Sequence, residues 1–248
     1  MNTVIKGSDL TIGIDIGGTK ISAGVVDSSG NIIDSSRIST PAEGGKELIL
    51  AVINLIKELK EKHEIKGIGI SIAALISSDY GTIVGAPNIA NLSKLNFVNE
   101  IKAEFKLPIV VENDANSAMW AEFKFGNAKG LNPVMFFIIG TGVGGGLVID
   151  GKLFKGANGI GAEFGHMCVV PNGLLCGCGS KGCIEQYASG GALIRYANEA
   201  IIDNPQSSET LLSFGEGKLT GSGLTKAAKA GDELALAAFN KQADWLGL

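Results

Sequence analysis

From residue 163 to residue 185 the chain reads E-F-G-H-M-C-V-V-P-N-G-L-L-C-G-C-G-S-K-G-C-I-E. Cys176, Cys178 and Cys183 stand within eight residues, and His166 lies ten residues before the first of them. Three thiolates and one imidazole complete the tetrahedral Cys3His set of a structural zinc site. The glycines at 177, 179 and 182 let the backbone turn tightly enough for the sulfurs to face one point. The alternative is a disulfide or unrelated buried thiols, but nothing else in the chain points to an oxidising compartment. We therefore read a structural Zn2+ site. Such a site needs no fifth ligand, so Glu163 and Glu185, which flank it, are left for other work. A metal-bound histidine usually ties its second ring nitrogen to a partner. If that partner is a ligand hydroxyl, the metal serves to aim His166.

Three further clusters carry chemistry. Asp15 is followed by Gly17, Gly18, Thr19 and Lys20, after the apolar run Leu10 to Ile16. What comes next, Ile21 to Asp27, is again strand-like. A Walker A loop or a dinucleotide fingerprint needs a helix there, so these glycines belong to a hairpin. Such a turn can hold phosphate on successive backbone N–H groups, with Asp15 orienting Mg2+, or it is a plain turn. A similar pattern recurs at Gly140, Thr141, Gly142 and Gly144, and this weak repeat predicts two similar α/β halves holding a polyphosphate. The third cluster, Glu112-Asn113-Asp114-Ala115-Asn116, joins a strand to a helix, where α/β folds put ligand chemistry. Asp114 there is either a helix cap or a functional carboxylate. Capping needs one such residue and three Asn or Asp residues are present, which favours function.

These residues need an α/β scaffold. The apolar pattern predicts a third strand over 31–40 and a helix over 45–64, with Leu48, Val52, Leu55, Ile56 and Leu59 on one face. His63, at its charged end, reads as solvated. Strands follow at 66–72, 82–85 and 108–111, with a helix over 94–105 and another through Met119, Trp120 and Phe123. A strand over 132–139 precedes the second glycine cluster, and another over 147–150 follows it. Helices are expected at 189–202, 224–230 and 232–246, with 203–223 mostly loop. The expected domains are residues 1–114 and residues 115–248.

Composition excludes several classes. Of 248 residues, 19% are charged and 45% hydrophobic, and the net charge is −4. No basic cluster and an acidic balance argue against nucleic acid. No apolar run approaches a membrane span, and the first ten residues carry Lys6 and Asp9 rather than a signal, so a cytoplasmic setting is expected. Glycine, at 36 residues, is about twice its average usage, clustered where backbone must approach a ligand.

Taken together, Asp15-Ile-Gly-Gly-Thr-Lys20, Glu112 to Asn116, Gly140 to Gly146, Glu163-Phe-Gly-His166 and Cys176 to Glu185 resemble the ROK family of sugar kinases and repressors, specifically its zinc-containing glucokinases. The resemblance runs from about residue 10 to the end. It implies a two-domain actin-like ATPase (ribonuclease H-like) fold with the sugar in the cleft. It also implies ATP-dependent phosphorylation of a hexose, glucose first. Carried over by position, Asp114 is the catalytic base, and Asn113, Asp114, Glu163, His166 and Glu185 bind the sugar. His166, Cys176, Cys178 and Cys183 hold zinc, while Asp15 to Lys20 and Gly140 to Gly144 bind the phosphates of ATP with Mg2+. The family further implies a homodimer. Two features depart from its pattern. Ala73-Ala74-Leu75 replaces the usual Pro-Gly turn. The family's adenosine-binding turn and returning C-terminal helix are not visible, so the expected fold is truncated at its C-terminus. A sugar-binding protein without turnover is the alternative. The first strand, starting near Leu10, argues against a repressor, which would begin with a helix-turn-helix.

Overall fold

A computed structural model describes residues 9–77, 82–86, 89–92, 96–205 and 208–247 of the chain. Three strands open it: β1 (Leu10–Ile16), β2 (Lys20–Val26) and β3 (Ile32–Ser39). After α1 (Gly45–Lys62) come β4 (Ile65–Ile72), β5 (Leu75–Ile76), β6 (Ile83–Gly85), α2 (Phe97–Glu104), β7 (Ile109–Asn113) and α3 (Asp114–Phe125). The chain continues through β8 (Val134–Ile139), β9 (Val143–Ile149) and β10 (Lys152–Leu153). A 3-10 turn, Phe164–His166, precedes α4 (Glu185–Ala188), α5 (Gly190–Asp203), α6 (Ser208–Ser213), α7 (Gly221–Lys229) and α8 (Glu233–Leu246).

Residue contacts divide the chain into two compact units, residues 1–136 with 146–162, and residues 137–145 with 163–248. The expected division after residue 114 differs from this, because α3 stays with the first unit and the chain changes unit within β8 and β9.

The first unit is built on a five-stranded sheet in the order β3-β2-β1-β4-β7. β1 pairs antiparallel with β2 and parallel with β4, which pairs parallel with β7. Alternation sets the faces: Ile12, Ile14 and Ile16 are buried, whereas Gly13 and Asp15 point the other way. α1 buries Leu48, Val52, Leu55, Ile56 and Leu59, the face its periodicity predicts. These side chains join the β1, β4 and α2 residues in one continuous core. His63 is not solvated as expected: its Nε2 lies 3.0 Å from Oδ2 of Asp34, which it holds below the usual carboxylate range.

A second sheet has the order β10-β9-β8. The strand expected over 147–150 begins earlier, at Val143, so Gly144 to Gly146 are strand rather than turn. The reason is packing. A Cβ on Gly146 would lie 2.5 Å from Cβ of Met119, so glycine there lets α3 settle on the strand. In the second unit α5, α6, α7 and α8 share a small core around Leu193, Tyr196, Leu211 and Leu224. The stretch expected to be mostly loop thus holds α6 and the start of α7, which Thr220 caps by accepting from Gly223 N.

Candidate functional site

The predicted residues fall into two groups, one in each unit. In the second unit, the ligand atoms of His166, Cys176, Cys178 and Cys183 all lie within 4.8 Å of one another. Nδ1 of His166 is 3.6 Å from Sγ of Cys176, and the sulfurs of Cys178 and Cys183 are 3.7 Å apart. A tetrahedral ion with Zn–S bonds of about 2.3 Å and a Zn–N bond of about 2.0–2.1 Å needs edges of roughly 3.5–3.8 Å. The His166–Cys176 and Cys178–Cys183 separations have that length, and the donor set of one imidazole and three thiols suits one zinc ion. Burial first, and the neighbouring thiols next, push the Cys183 thiol up to about 12, so a thiolate there needs a cation beside it.

Local backbone bonds make the cradle. Cys176 N donates to Ser180 O at 2.8 Å, and Gly179 N to Cys176 O at 2.9 Å. Cys168 pairs with Cys183, and Leu175 with Lys181, across short antiparallel bridges. Gly179 and Gly182 adopt φ of 91° and 80°, as a tight turn demands. Gly177 lies within the turn that the Gly179 N to Cys176 O bond closes, without a positive φ. Sequence reasoning missed Tyr187, whose hydroxyl accepts from Leu174 N at 2.8 Å and props the loop. The fourth cysteine, Cys168, is exposed and outside the four-ligand set.

The second glycine turn lies against this segment, within the same unit. The turn itself is short, with Gly140 N donating to Gly142 O at 3.0 Å. Glu185, half-buried at the start of α4, accepts from Val143 N on Oε2 at 3.0 Å. Its Oε1 lies 3.7 Å from Sγ of Cys176. Gly165, inside the E-F-G-H motif, has no room for a side chain, since a Cβ would fall 1.9 Å from Val143 O. Gly190 N, opening α5, donates to Gly140 O at 2.8 Å. Glu163 is half-buried just before the 3-10 turn.

The first unit holds the other group. Gly17 N donates to Lys20 O at 3.0 Å, closing the β1–β2 hairpin, and the Thr40 hydroxyl donates to Gly17 O at 2.7 Å. Gly18, Thr19 and Lys20 are exposed. Asp15 accepts from the Ser71 hydroxyl at 3.3 Å.

At the head of α3 the polar residues divide their tasks. Asn113, not Asp114, is the cap: its Oδ1 accepts from Asn116 N at 3.1 Å. Its Nδ2 donates to Asp114 Oδ1 at 3.0 Å and to Ala74 O at 3.3 Å. Glu112 accepts from Asn116 Nδ2 at 3.1 Å and pairs with Lys155, a partner that sequence spacing gives no sign of. Asp114 accepts from Ala115 N at 2.9 Å and keeps solvent access. Burial of its carboxyl by the surrounding chain, with a contribution from the charge of Asp15, raises its pKa above the ordinary aspartate value. Solvent access tempers that shift. An apolar groove of about 650 Å³, lined by Gly13, Gly69, Val110, Trp120 and the Lys155–Glu112 pair, contains none of the predicted site residues.

The family model described as ROK family matches residues 11–248. That span includes every residue group above. The chain belongs to the ROK family. Its mixed α/β architecture is the actin-like ATPase fold of that family, as the motifs predicted. A glucokinase of Streptomyces coelicolor is 44% identical over 241 residues, covering 96% of this chain and 75% of the relative. An N-acetylmannosamine kinase of Yersinia pseudotuberculosis is 37% identical over 182 residues, covering 73% of this chain and 62% of the relative. The crystal structure of a ROK family glucokinase from Streptomyces griseus, in complex with glucose and AMPPNP, superposes with a TM-score of 0.86 at 42% identity. That match covers 96% of this chain and 77% of the other. Among the described residues, no helix is long and apolar enough to cross a membrane.

Proposed function

We propose that the chain transfers the γ-phosphoryl group of ATP to a hexose, with glucose the first candidate. The observation that carries this reading is the arrangement around His166. Its Nδ1 lies 3.6 Å from Sγ of Cys176, which leaves Nε2 for a ligand, and Glu185 stands beside the same cluster. Asn113, Asp114, Glu163, His166 and Glu185 then read the sugar, since hydroxyls are recognised by acceptors that are costly to leave unpaired.

Zinc would be held by His166, Cys176, Cys178 and Cys183, where it supplies a fixed point for the loop and for the His166 ring. Mg2+ bound with ATP would supply neutralising charge for the phosphates. Asp114 takes the proton of the attacking hydroxyl as its oxygen bonds to the γ-phosphorus and the bond to the departing ADP oxygen breaks. A raised pKa suits this carboxylate to that task. Backbone N–H groups of the Gly17–Lys20 and Gly140–Gly144 turns are the proposed phosphate contacts, with Asp15 orienting Mg2+. The proposed setting is the cytoplasm, where ATP is supplied.

The test is a coupled assay for sugar phosphate with ATP, Mg2+ and either glucose or N-acetylmannosamine, alongside calorimetry with each sugar. Glucose 6-phosphate formation supports the proposal. Preference for N-acetylmannosamine changes the substrate, and binding without turnover favours a non-catalytic sugar-binding protein. The absence of both binding and turnover would overturn the reading.

A further inference from the structure

Glu185 touches two things that the motifs assign to different substrates. Its carboxylate stands beside the metal-ligand cluster, 3.7 Å from Sγ of Cys176, in the unit that carries the proposed sugar residues Glu163 and His166. The same carboxylate accepts from Val143 N, the first residue after the glycine turn at 140–142. Gly142 leaves the space for that contact. A Cβ there would lie 2.3 Å from Oε2 and 3.2 Å from Cδ of Glu185, and the three nearest atoms beyond the adjoining residues all belong to Glu185. The φ of Gly142 is not positive, so the backbone itself does not demand glycine.

We propose that Gly142 and the Val143 N–H, which sit in a turn read as phosphate-binding, are positioning elements for the sugar: they hold the Glu185 carboxylate in place. This rests on the sugar-kinase reading above. The physical reason is a charge-assisted hydrogen bond, which restrains a flexible side chain before the ligand arrives and so lowers the ordering cost of binding. The turn thereby reports to the sugar site with no nucleotide present. All the groups involved belong to one unit.

Gly142→Ala isolates the effect. Its clash is with the far end of a flexible side chain rather than with backbone, so Glu185 moves and the fold stays. Glucose affinity is measured by calorimetry without nucleotide, for the parent, Gly142→Ala, Glu185→Ala and the double variant. Melting temperature and hydrogen exchange of the Val143 amide are measured on the same samples. The expected result is a loss of glucose affinity of about tenfold or more in Gly142→Ala, which is the weight of a single well-placed polar contact. Melting is expected to stay unchanged, with faster exchange at Val143. In the Glu185→Ala background the Gly142→Ala change should cost nothing further, since both act through one carboxylate. Unchanged glucose affinity and unchanged exchange in Gly142→Ala would overturn the proposal, as would additive losses in the double variant. A parent that binds no glucose overturns the sugar reading and this role with it. Faster exchange in Gly142→Ala would then show that the hydrogen bond exists without serving a sugar.

Discussion

Gly165→Ala tests whether the E-F-G-H segment is locked to the second glycine turn. The new Cβ would meet Val143 O at 1.9 Å and Val143 C at 2.9 Å, and real contacts essentially never fall below 3.0 Å. No rotamer relieves a methyl group pressed on backbone, so the 3-10 turn and the start of β9 must separate. The same shift strains the 3.0 Å bond from Val143 N to Glu185. Overpacking of this kind costs about 1–3 kcal/mol. For a chain of this length each kcal/mol moves the melting temperature by roughly 2–4 °C, so a drop of about 2–12 °C is expected. The assay is thermal unfolding of zinc-loaded protein, followed by circular dichroism or calorimetry. Gly177→Ala, in the same segment, is the control: nothing lies within 4 Å of its Cβ, and its φ is not positive. If Gly165→Ala melts with the control, the reasoning that ties His166 to the turn through backbone contact is refuted.

Asp114→Asn should keep the fold, because Oδ1 still accepts from Ala115 N and Asn113 Nδ2, while turnover falls by about 10²–10⁴. The raised pKa means that the folded state binds this proton more tightly than the unfolded chain. The carboxyl therefore favours folding below its ordinary value of 3.8 and loses that contribution as pH rises through the folded value. Asparagine should leave stability at neutral pH unchanged or higher, and the parent's turnover should fall on acidification before pH reaches 3.8. A less stable Asp114→Asn chain in denaturant titrations contradicts this. Cys178→Ser should reduce bound zinc from one per chain to a small fraction, read with a colorimetric chelator, and full retention excludes it as a ligand. Lys155→Met leaves the Glu112 carboxylate without its cation in a largely buried site, and should cost about 2–3 kcal/mol in urea unfolding. Adding Glu112→Gln should recover part of that loss, and a neutral Lys155→Met refutes the pairing.

Much of this molecule was legible because its signals are local. The α1 core face follows from spacing along one helix, and the β1–β2 hairpin from an apolar strand on either side of a glycine turn. The metal set is local too. Three of its four ligands lie within eight residues, and the chain can bring them together only by turning at glycines, as Gly179 and Gly182 do.

What spacing does not encode is which distant group a residue meets. The motif E-N-D-A-N displays its polar residues but not their division of labour. Only the fold shows Asn113 capping α3, Glu112 paired with Lys155 across 43 positions, and Asp114 left as the carboxylate with solvent access. The second glycine cluster looked like one long turn. Packing of Met119 on Gly146 makes part of it strand, and contacts from Gly165 and Glu185 fix its start. The sequence by itself determined the family, the α/β pattern and the loop that gathers three cysteines, since each depends on residues close along the chain. Tertiary structure decided the roles of Gly142, Gly165, Glu185 and Lys155, since steric exclusion and buried charge pairing act between segments that meet only after folding.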